Sequence, residues 1–305
     1  MQRLRGAGLV RHRRGQAMKR WLAGAALLAS LAPGCAAVTL RDDTGQALTL
    51  AAPARRAVAL SPHLAELVFA AGAGDRLVGV VRYSDFPTEA ARLPVVGDAF
   101  AINLEAIAVL RPDLLLVWTS GLNPRQQQRL PSLGLPLYAS EISRVAGIAQ
   151  TLRQLGRLFG TERAAEAAAA STETRWAALR ERYAGRPKVR VFYQLWHEPL
   201  MTVNDQHGIA EAIAACGGVN VFGQQSALTP TVGWEAAIAA DPQIVVTGAE
   251  ANEPAELDGW RRFSRVDAVR RGQLVALPGH RLARMTPQFI DGAQALCEAI
   301  DRARH

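Results

Sequence analysis

Leu104-Glu105-Ala106-Ile107-Ala108-Val109-Leu110-Arg111-Pro112-Asp113-Leu114-Leu115-Leu116-Val117 and Trp234-Glu235-Ala236-Ala237-Ile238-Ala239-Ala240-Asp241-Pro242-Gln243-Ile244-Val245-Val246 are two copies of one pattern, set 130 residues apart. In each copy a Glu opens a short helical run, a Pro follows seven residues later, and an apolar run of buried-strand type comes next. The repeat implies two similar α/β lobes, each showing one Glu at an equivalent place. A symmetric pair of lobes suggests a ligand held between them and a partner that touches both.

Outward from the repeat the chain keeps a βαβ rhythm. Arg56 to Leu60 reads as a strand, and Ser61-Pro62 starts a helix in the favoured order, cap and then Pro at the first position. Leu77 to Val81, Leu114 to Trp118 and the segment after Leu135 give further strands, and Arg125 to Leu133 a helix. Val38-Thr39-Leu40 and Leu48-Thr49-Leu50 are small lead-in strands. No strand signal occurs over about 143–184. Val145, Ile148, Leu152, Leu155 and Leu158 recur at helical spacing, Thr161 is a candidate cap, and Glu162 to Tyr183 is Ala-rich and charged. The strands resume at Lys188 to Leu195, Ile244 to Thr247 and Gln273 to Leu277, with helices over Ile209 to Cys216 and from Thr286-Pro287 to about Arg302. Alternating strands and helices imply mostly parallel sheets. The expected fold class is α/β, two Rossmann-like lobes joined by a long bridging helix. The expected divisions are an export signal over 1–37, an N-terminal lobe over 38–142, a bridging helical segment over 143–187 and a C-terminal lobe over 188–305.

Composition bounds the function. At 305 residues, with 49% apolar and 20% charged residues, the chain has room for two soluble lobes, each with its own core. The net charge of +8 is misleading, because seven basic residues precede residue 21 and no acidic residue precedes Asp42. The remaining body is close to neutral and has no electrostatic reason to seek nucleic acid. That basic segment is followed by an apolar run from Trp21 to Ala32, too short to span a bilayer but suited to an export signal. Met18-Lys19-Arg20 gives a more compact basic region, which marks Met18 as an alternative start. Cys35, with Gly34 before it, resembles the lipid-acceptor Cys of a bacterial lipoprotein; plain cleavage near Ala36 or Ala37 is the alternative. Cys216 and Cys297 then form an even pair in an oxidising compartment, or else are two buried thiols.

Several landmarks recur in order: Ala59-Leu60-Ser61-Pro62, Tyr83-Ser84-Asp85-Phe86-Pro87, Asn103-Leu104-Glu105, Pro112-Asp113-Leu114, Trp118, Arg190-Val191-Phe192, Cys216-Gly217-Gly218-Val219-Asn220-Val221-Phe222, and Pro287 followed by Cys297. With these the chain resembles, from about Arg56 to Ala303, the periplasmic vitamin B12-binding proteins of bacterial ABC importers. The resemblance implies a monomer in the periplasm, with a corrinoid such as cobalamin in the interlobe cleft and an ABC permease dimer as partner. It implies no cofactor, and contact with a membrane only through the permease or a lipid on Cys35. Siderophore- and haem-binding relatives share the architecture, so haem or a ferric siderophore is the alternative cargo.

A receptor for a corrinoid needs flat aromatic surface and a few hydrogen-bonding groups. Tyr83 and Trp118 fall just after strands, where parallel sheets put their ligand crevices, and the resemblance gives both positions contact with the corrinoid. Phe100 lies in a loop where the family has an aromatic residue. Met201 stands where the family has another, and Trp196 nearby is a second flat surface; Thr229 replaces a family Trp. Arg284 matches an arginine that lies against the ligand. His280 replaces an Asp, and is read as a hydrogen-bond partner, an axial cobalt ligand or a plain loop histidine. Glu105 and Glu235 are read as docking carboxylates for arginines of the permease, against the alternative of first-turn residues favoured by the helix dipole. They are no glycosidase pair, since they belong to separate lobes. The histidines form no metal motif, and no nucleophile-elbow, Walker or dinucleotide signature occurs, so an enzyme is not expected.

Overall fold

The computed structural model describes residues 37–98, 100–249 and 257–305. Residues 1–36, which carry nearly all of the expected export signal and Cys35, lie outside the described residues.

A hairpin of β1 (Val38–Arg41) and β2 (Ala47–Leu50) leads into the first lobe. There β3 (Ala57–Ala59), α1 (Pro62–Ala70), β4 (Leu77–Val80), α2 (Leu104–Leu110), β5 (Leu114–Trp118), α3 (Pro124–Arg129) and β6 (Leu137–Ser140) follow in turn. A helical hairpin comes next, α4 (Val145–Phe159) and α5 (Glu162–Tyr183). The second lobe contains β7 (Val189–Gln194), β8 (Trp196–His197), β9 (Leu200–Met201), α6 (Gly208–Ala215), β10 (Gly218–Asn220), α7 (Trp234–Ala239) and β11 (Ile244–Ala249). It closes with α8 (Asp258–Arg261), α9 (Asp267–Arg270), β12 (Leu274–Pro278), α10 (Gly279–Ala283) and α11 (Phe289–Arg302).

Both lobes have the same topology. The first sheet runs β4-β3-β5-β6 and the second β10-β7-β11-β12, and every pair in each is parallel. In each, the first strand lies between the second and third, so the strand order reverses there. The sequence repeat falls on equivalent parts. In the first lobe the Asp113 carboxylate accepts the Arg56 backbone N–H at 3.0 Å, and the Arg56 carbonyl accepts from Asp113 N at 2.7 Å. In the second lobe the Gln243 side-chain oxygen accepts the Arg190 N–H at 3.0 Å, and the Arg190 carbonyl accepts from Gln243 N at 2.8 Å. Each helix of the repeat ends on a left-handed residue before the Pro, Arg111 at φ +45° and Asp241 at φ +43°. Orphan carbonyls at these ends are met by a guanidinium, from Arg56 to Leu110 and Arg111 and from Arg190 to Asp241.

The expected bridging segment holds two helices, α4 and the long α5, with the break at the expected place before Glu162. Gly160 at φ +70° ends α4, and α5 turns back along it. A Cβ at Gly156 would lie 2.5 Å from the Ala165 Cβ, so close packing of the hairpin needs glycine there. Arg153 clasps Glu166 and Glu173 across it. Thr161, the expected cap of α5, makes no side-chain capping bond, whereas Ser61 caps α1 by accepting from Leu64 N. One continuous core runs from the inner faces of both lobes through α4 and α5, including Leu64, Leu152, Ala165, Ile213 and Leu296. Smaller cores lie on the far face of each sheet. Cys216 and Cys297 are joined as a disulfide that ties the end of α6 to α11.

Candidate functional site

The strand-order reversals at β3 and β7 open crevices at the carboxyl ends of the strands, where open α/β sheets hold their ligands. A cavity of about 330 Å³ lies there, with walls from both lobes. The first lobe gives Pro62, His63, Trp118 and the segment from Glu141 to Ser143; the second gives Gln206 to Gly208, Leu228 and Leu282 to Met285. Of the side chains singled out from the sequence for ligand binding, Trp118 and Arg284 line it.

Trp118 ends β5 and is 37% exposed, with its ring turned to the cavity wall. Glu141 holds it there. One carboxylate oxygen accepts from the indole Nε1 at 3.2 Å, and the other accepts from Ser120 N at 2.9 Å and Ser120 Oγ at 2.8 Å. Glu141 is in turn placed by the lead-in hairpin, since Asp43 Oδ2 accepts its backbone N–H at 2.7 Å. His63 meets the indole edge-on, 5.2 Å between centroids at 86°. A Cβ at Gly121 would lie 2.1 Å from the indole, so only glycine leaves room for this rotamer.

Arg284 reaches across to the first lobe. Its guanidinium donates to Glu66 Oε1 at 2.6 Å, to Asp85 Oδ1 at 2.9 Å and to the Tyr83 carbonyl at 3.0 Å. Glu66 is 4% exposed, and its second oxygen accepts from Gln288 at 3.2 Å. Burial opposes the charge on Arg284, but the hydrogen bonds and charges of Glu66 and Asp85 outweigh it and hold the guanidinium above its ordinary range. Burial, with a lesser push from Arg284, drives the His63 imidazole down to about 4, so it is neutral at neutral pH. Burial also lowers His207, whose Nδ1 accepts from Ile209 N at 3.1 Å and caps α6.

The remaining expected residues sit apart from the cavity wall. Tyr83 is 72% exposed, at φ +66° in the loop after β4, and meets Arg284 through its carbonyl. Phe100 is 87% exposed beside a separate surface pocket of about 260 Å³ formed with α3. Asp98 shapes that loop by accepting from Phe100 N and Ala101 N, both at 2.9 Å, and these bonds lower its pKa. Trp196 is 51% exposed and pairs across the β8–β9 hairpin with Met201, its Nε1 donating to the Glu198 carbonyl at 2.9 Å. His280 lies on α10 and is not part of the cavity wall. Glu105 and Glu235 are exposed in the first turns of α2 and α7, and neither is in an ion pair among the described residues. Sequence reasoning missed Glu66 and Glu141, and weighed His63 and His207 only as ligands of a free metal ion, a reading it set aside. A signal existed for His63, two residues after the Ser61 cap at the end of the first strand, where the strand order reverses. Among the described residues no group of three or more His, Cys, Asp or Glu side chains is placed to hold a free metal ion. No helix among them is long and apolar enough to cross a membrane.

Comparison with known proteins agrees with this geometry. The chain is 34% identical over 253 residues to the vitamin B12-binding protein of Vibrio cholerae, covering 83% of this chain and 91% of that one. It is 34% identical over 250 residues to the vitamin B12-binding protein of Salmonella typhimurium, covering 82% and 91%. The crystal structure of periplasmic vitamin B12-binding protein BtuF of Vibrio cholerae superposes with a TM-score of 0.76 over 83% of this chain and 98% of that one. The apo form of the periplasmic heme-binding protein RhuT from Roseiflexus shares the fold at 23% identity, with a TM-score of 0.73 over 82% and 99%. A family model described as periplasmic binding protein matches residues 58–280. The chain, with its paired parallel sheets and interlobe cleft, belongs to the periplasmic binding protein family.

Proposed function

We propose that this protein captures cobalamin or a related corrinoid in the cleft between its lobes and hands it to the permease of an ABC importer. The observation that carries this reading is the cavity at the two strand-order reversals, with the Trp118 ring on one wall and Leu228, Leu282 and Met285 on the other. The 34% identity to vitamin B12-binding proteins over most of the chain supports the same cargo. At about 330 Å³ the cavity is at the small end for a ligand pocket, about 300–1,000 Å³, so a corrin ring sits partly in its mouth. The exposed rings of Tyr83, Phe100 and Trp196, with Met201, are then available as rim. Both walls come from one chain, which suits a monomer.

The work of the site is binding. Ser61 and His63 lie 3.2 Å apart, but the Ser61 oxygen is buried and caps α1, so it is not set as a nucleophile. Glu105 and Glu235, exposed at equivalent places in the two lobes, are the proposed docking points for a permease dimer. The export signal over 1–37 fits a periplasmic location, with Cys35 as a candidate lipid anchor; the lobes divide at 38–142 and 188–305 around the segment 143–187. The test is direct. Purified protein is incubated with cyanocobalamin or with haemin, desalted, and examined by absorption and calorimetry. Retention of one cyanocobalamin per chain is expected. A colourless protein after cyanocobalamin overturns the reading, and retention of haemin alone replaces the cargo.

A further inference from the structure

We propose that His63, through Nε2, supplies an axial nitrogen ligand to the metal of the bound tetrapyrrole, and so favours corrinoids whose lower axial position is open. This rests on the proposed function, since it needs the macrocycle in the cleft. His63 and His207 are the imidazoles that line the cavity among the described residues. Their hydrogen bonds separate them. His207 Nδ1 accepts from a backbone N–H, so in the neutral ring the proton is on Nε2, which is then a donor and no ligand. His63 Nδ1 lies 3.2 Å from the Ser61 hydroxyl, a contact in which either atom can be the donor. In the tautomer with the proton on Nδ1, the Nε2 lone pair is free. His63 lines the cavity, and its Nε2 makes no hydrogen bond among the described residues. A ligand histidine whose other ring nitrogen donates to an oxygen is the usual arrangement at metal sites, because that bond fixes tautomer and ring direction.

Ring geometry gives an independent argument. An axial imidazole stands perpendicular to the macrocycle it ligates, while an aromatic ring stacked on the same face lies parallel to it. The two must therefore be close to perpendicular to each other, and His63 and Trp118 meet at 86° with centroids 5.2 Å apart. Glu141 fixes one ring, and Ser61 with the first turn of α1 fixes the other. Imidazole suits cobalt and iron in such rings. The step is a ligand exchange: a water leaves the metal, the Nε2 lone pair forms the bond, and no proton or electron moves. His280, on α10, does not line the cavity.

Cobinamide tests this, because it lacks the nucleotide base that fills the lower position in cobalamin. Reduced to the Co(II) state and bound to the wild-type protein, it is expected to show nitrogen superhyperfine splitting in its electron paramagnetic resonance spectrum. His63→Ala and His63→Gln should lose the splitting, and added imidazole should restore it to the alanine variant. Cobinamide affinity should fall about tenfold, more than that for cyanocobalamin. The glutamine variant preserves side-chain bulk, and far-UV circular dichroism checks folding of both. Cobinamide bound without axial nitrogen, or splitting that survives in both variants, overturns the proposal and leaves the proposed function standing. Failure of cobinamide and cyanocobalamin to bind at all removes both. Haemin retained alone with a low-spin spectrum that depends on His63 keeps the ligand role and makes the cargo an iron ring.

Discussion

Glu141 spends one carboxylate oxygen on the indole of Trp118 and the other on Ser120. Truncation to Ala frees the Trp118 ring from the orientation it holds on the cavity wall. Hydrogen bonds to a charged acceptor contribute about 1.5–3 kcal/mol, so Glu141→Ala is expected to weaken cyanocobalamin binding about tenfold and to shift the tryptophan emission. Glu141→Gln retains one acceptor and should recover part of both; calorimetry and fluorescence read the two effects. Arg284 is a different case. The residue expected to lie against the ligand spends its donors on Glu66, Asp85 and the Tyr83 carbonyl. Removing it strands a buried carboxylate, and breaking such a pair costs about 3–5 kcal/mol. Arg284→Met should therefore lower the melting temperature without any ligand present, and Glu66→Gln added to it should recover part of the loss; an unchanged melt for Arg284→Met would contradict this. These cases show what the sequence makes legible. Trp118 could be read because an aromatic residue ending an apolar strand marks a crevice. Glu66 could not, because a carboxylate within an apolar helical run reads as solvent-facing, and its partner is 218 positions away.

The strands of the two sheets, β10 excepted, were legible because each is a short apolar run next to a helical period. The repeat was legible because the same strand–helix junction is built twice with the same backbone hydrogen bonds. What escaped was too short to carry a period: the two-residue strands β8 and β9, the strand β10, and the four-residue helices α8 and α9. The turn between α4 and α5 was marked by Gly160, but the return of one helix along the other is a tertiary fact. The pairing of Cys216 with Cys297 joins two elements far apart in the chain, across a sequence separation of 81. In the chain-entropy account a loop of that length contributes roughly 4 kcal/mol. The double variant Cys216→Ala, Cys297→Ala is expected to melt on the order of 10 °C lower, and reductant should lower the wild-type melt in the same direction. A thermal melt by circular dichroism with and without reductant checks both. Equal melts would mean that packing of α6 on α11 suffices without the bond.

At the scale of the whole molecule the two lobes share one core through the α4–α5 hairpin. Hinged closure on a ligand would have to shear Leu152, Leu155 and Ala165 against their neighbours, and close-packed interiors resist that. The Arg284 bridge to Glu66 adds a polar tie beside the cavity. A frame that changes little on binding keeps Glu105 and Glu235 at a fixed separation. The proposed permease dimer, with one basic site per half, can then read both at once, and two weak contacts on a stiff spacer gain from effective concentration. Charge reversal at one site should therefore weaken docking partially, and reversal at both should abolish it. Glu105→Lys with Glu235→Lys is expected to leave cyanocobalamin affinity in solution within about twofold, since neither side chain lines the cleft, while uptake by cells drops by at least about tenfold. Single reversals should fall between. Uptake at the wild-type rate in the double variant would place the docking surface elsewhere, and loss of solution affinity along with uptake would mean that these carboxylates serve the cleft.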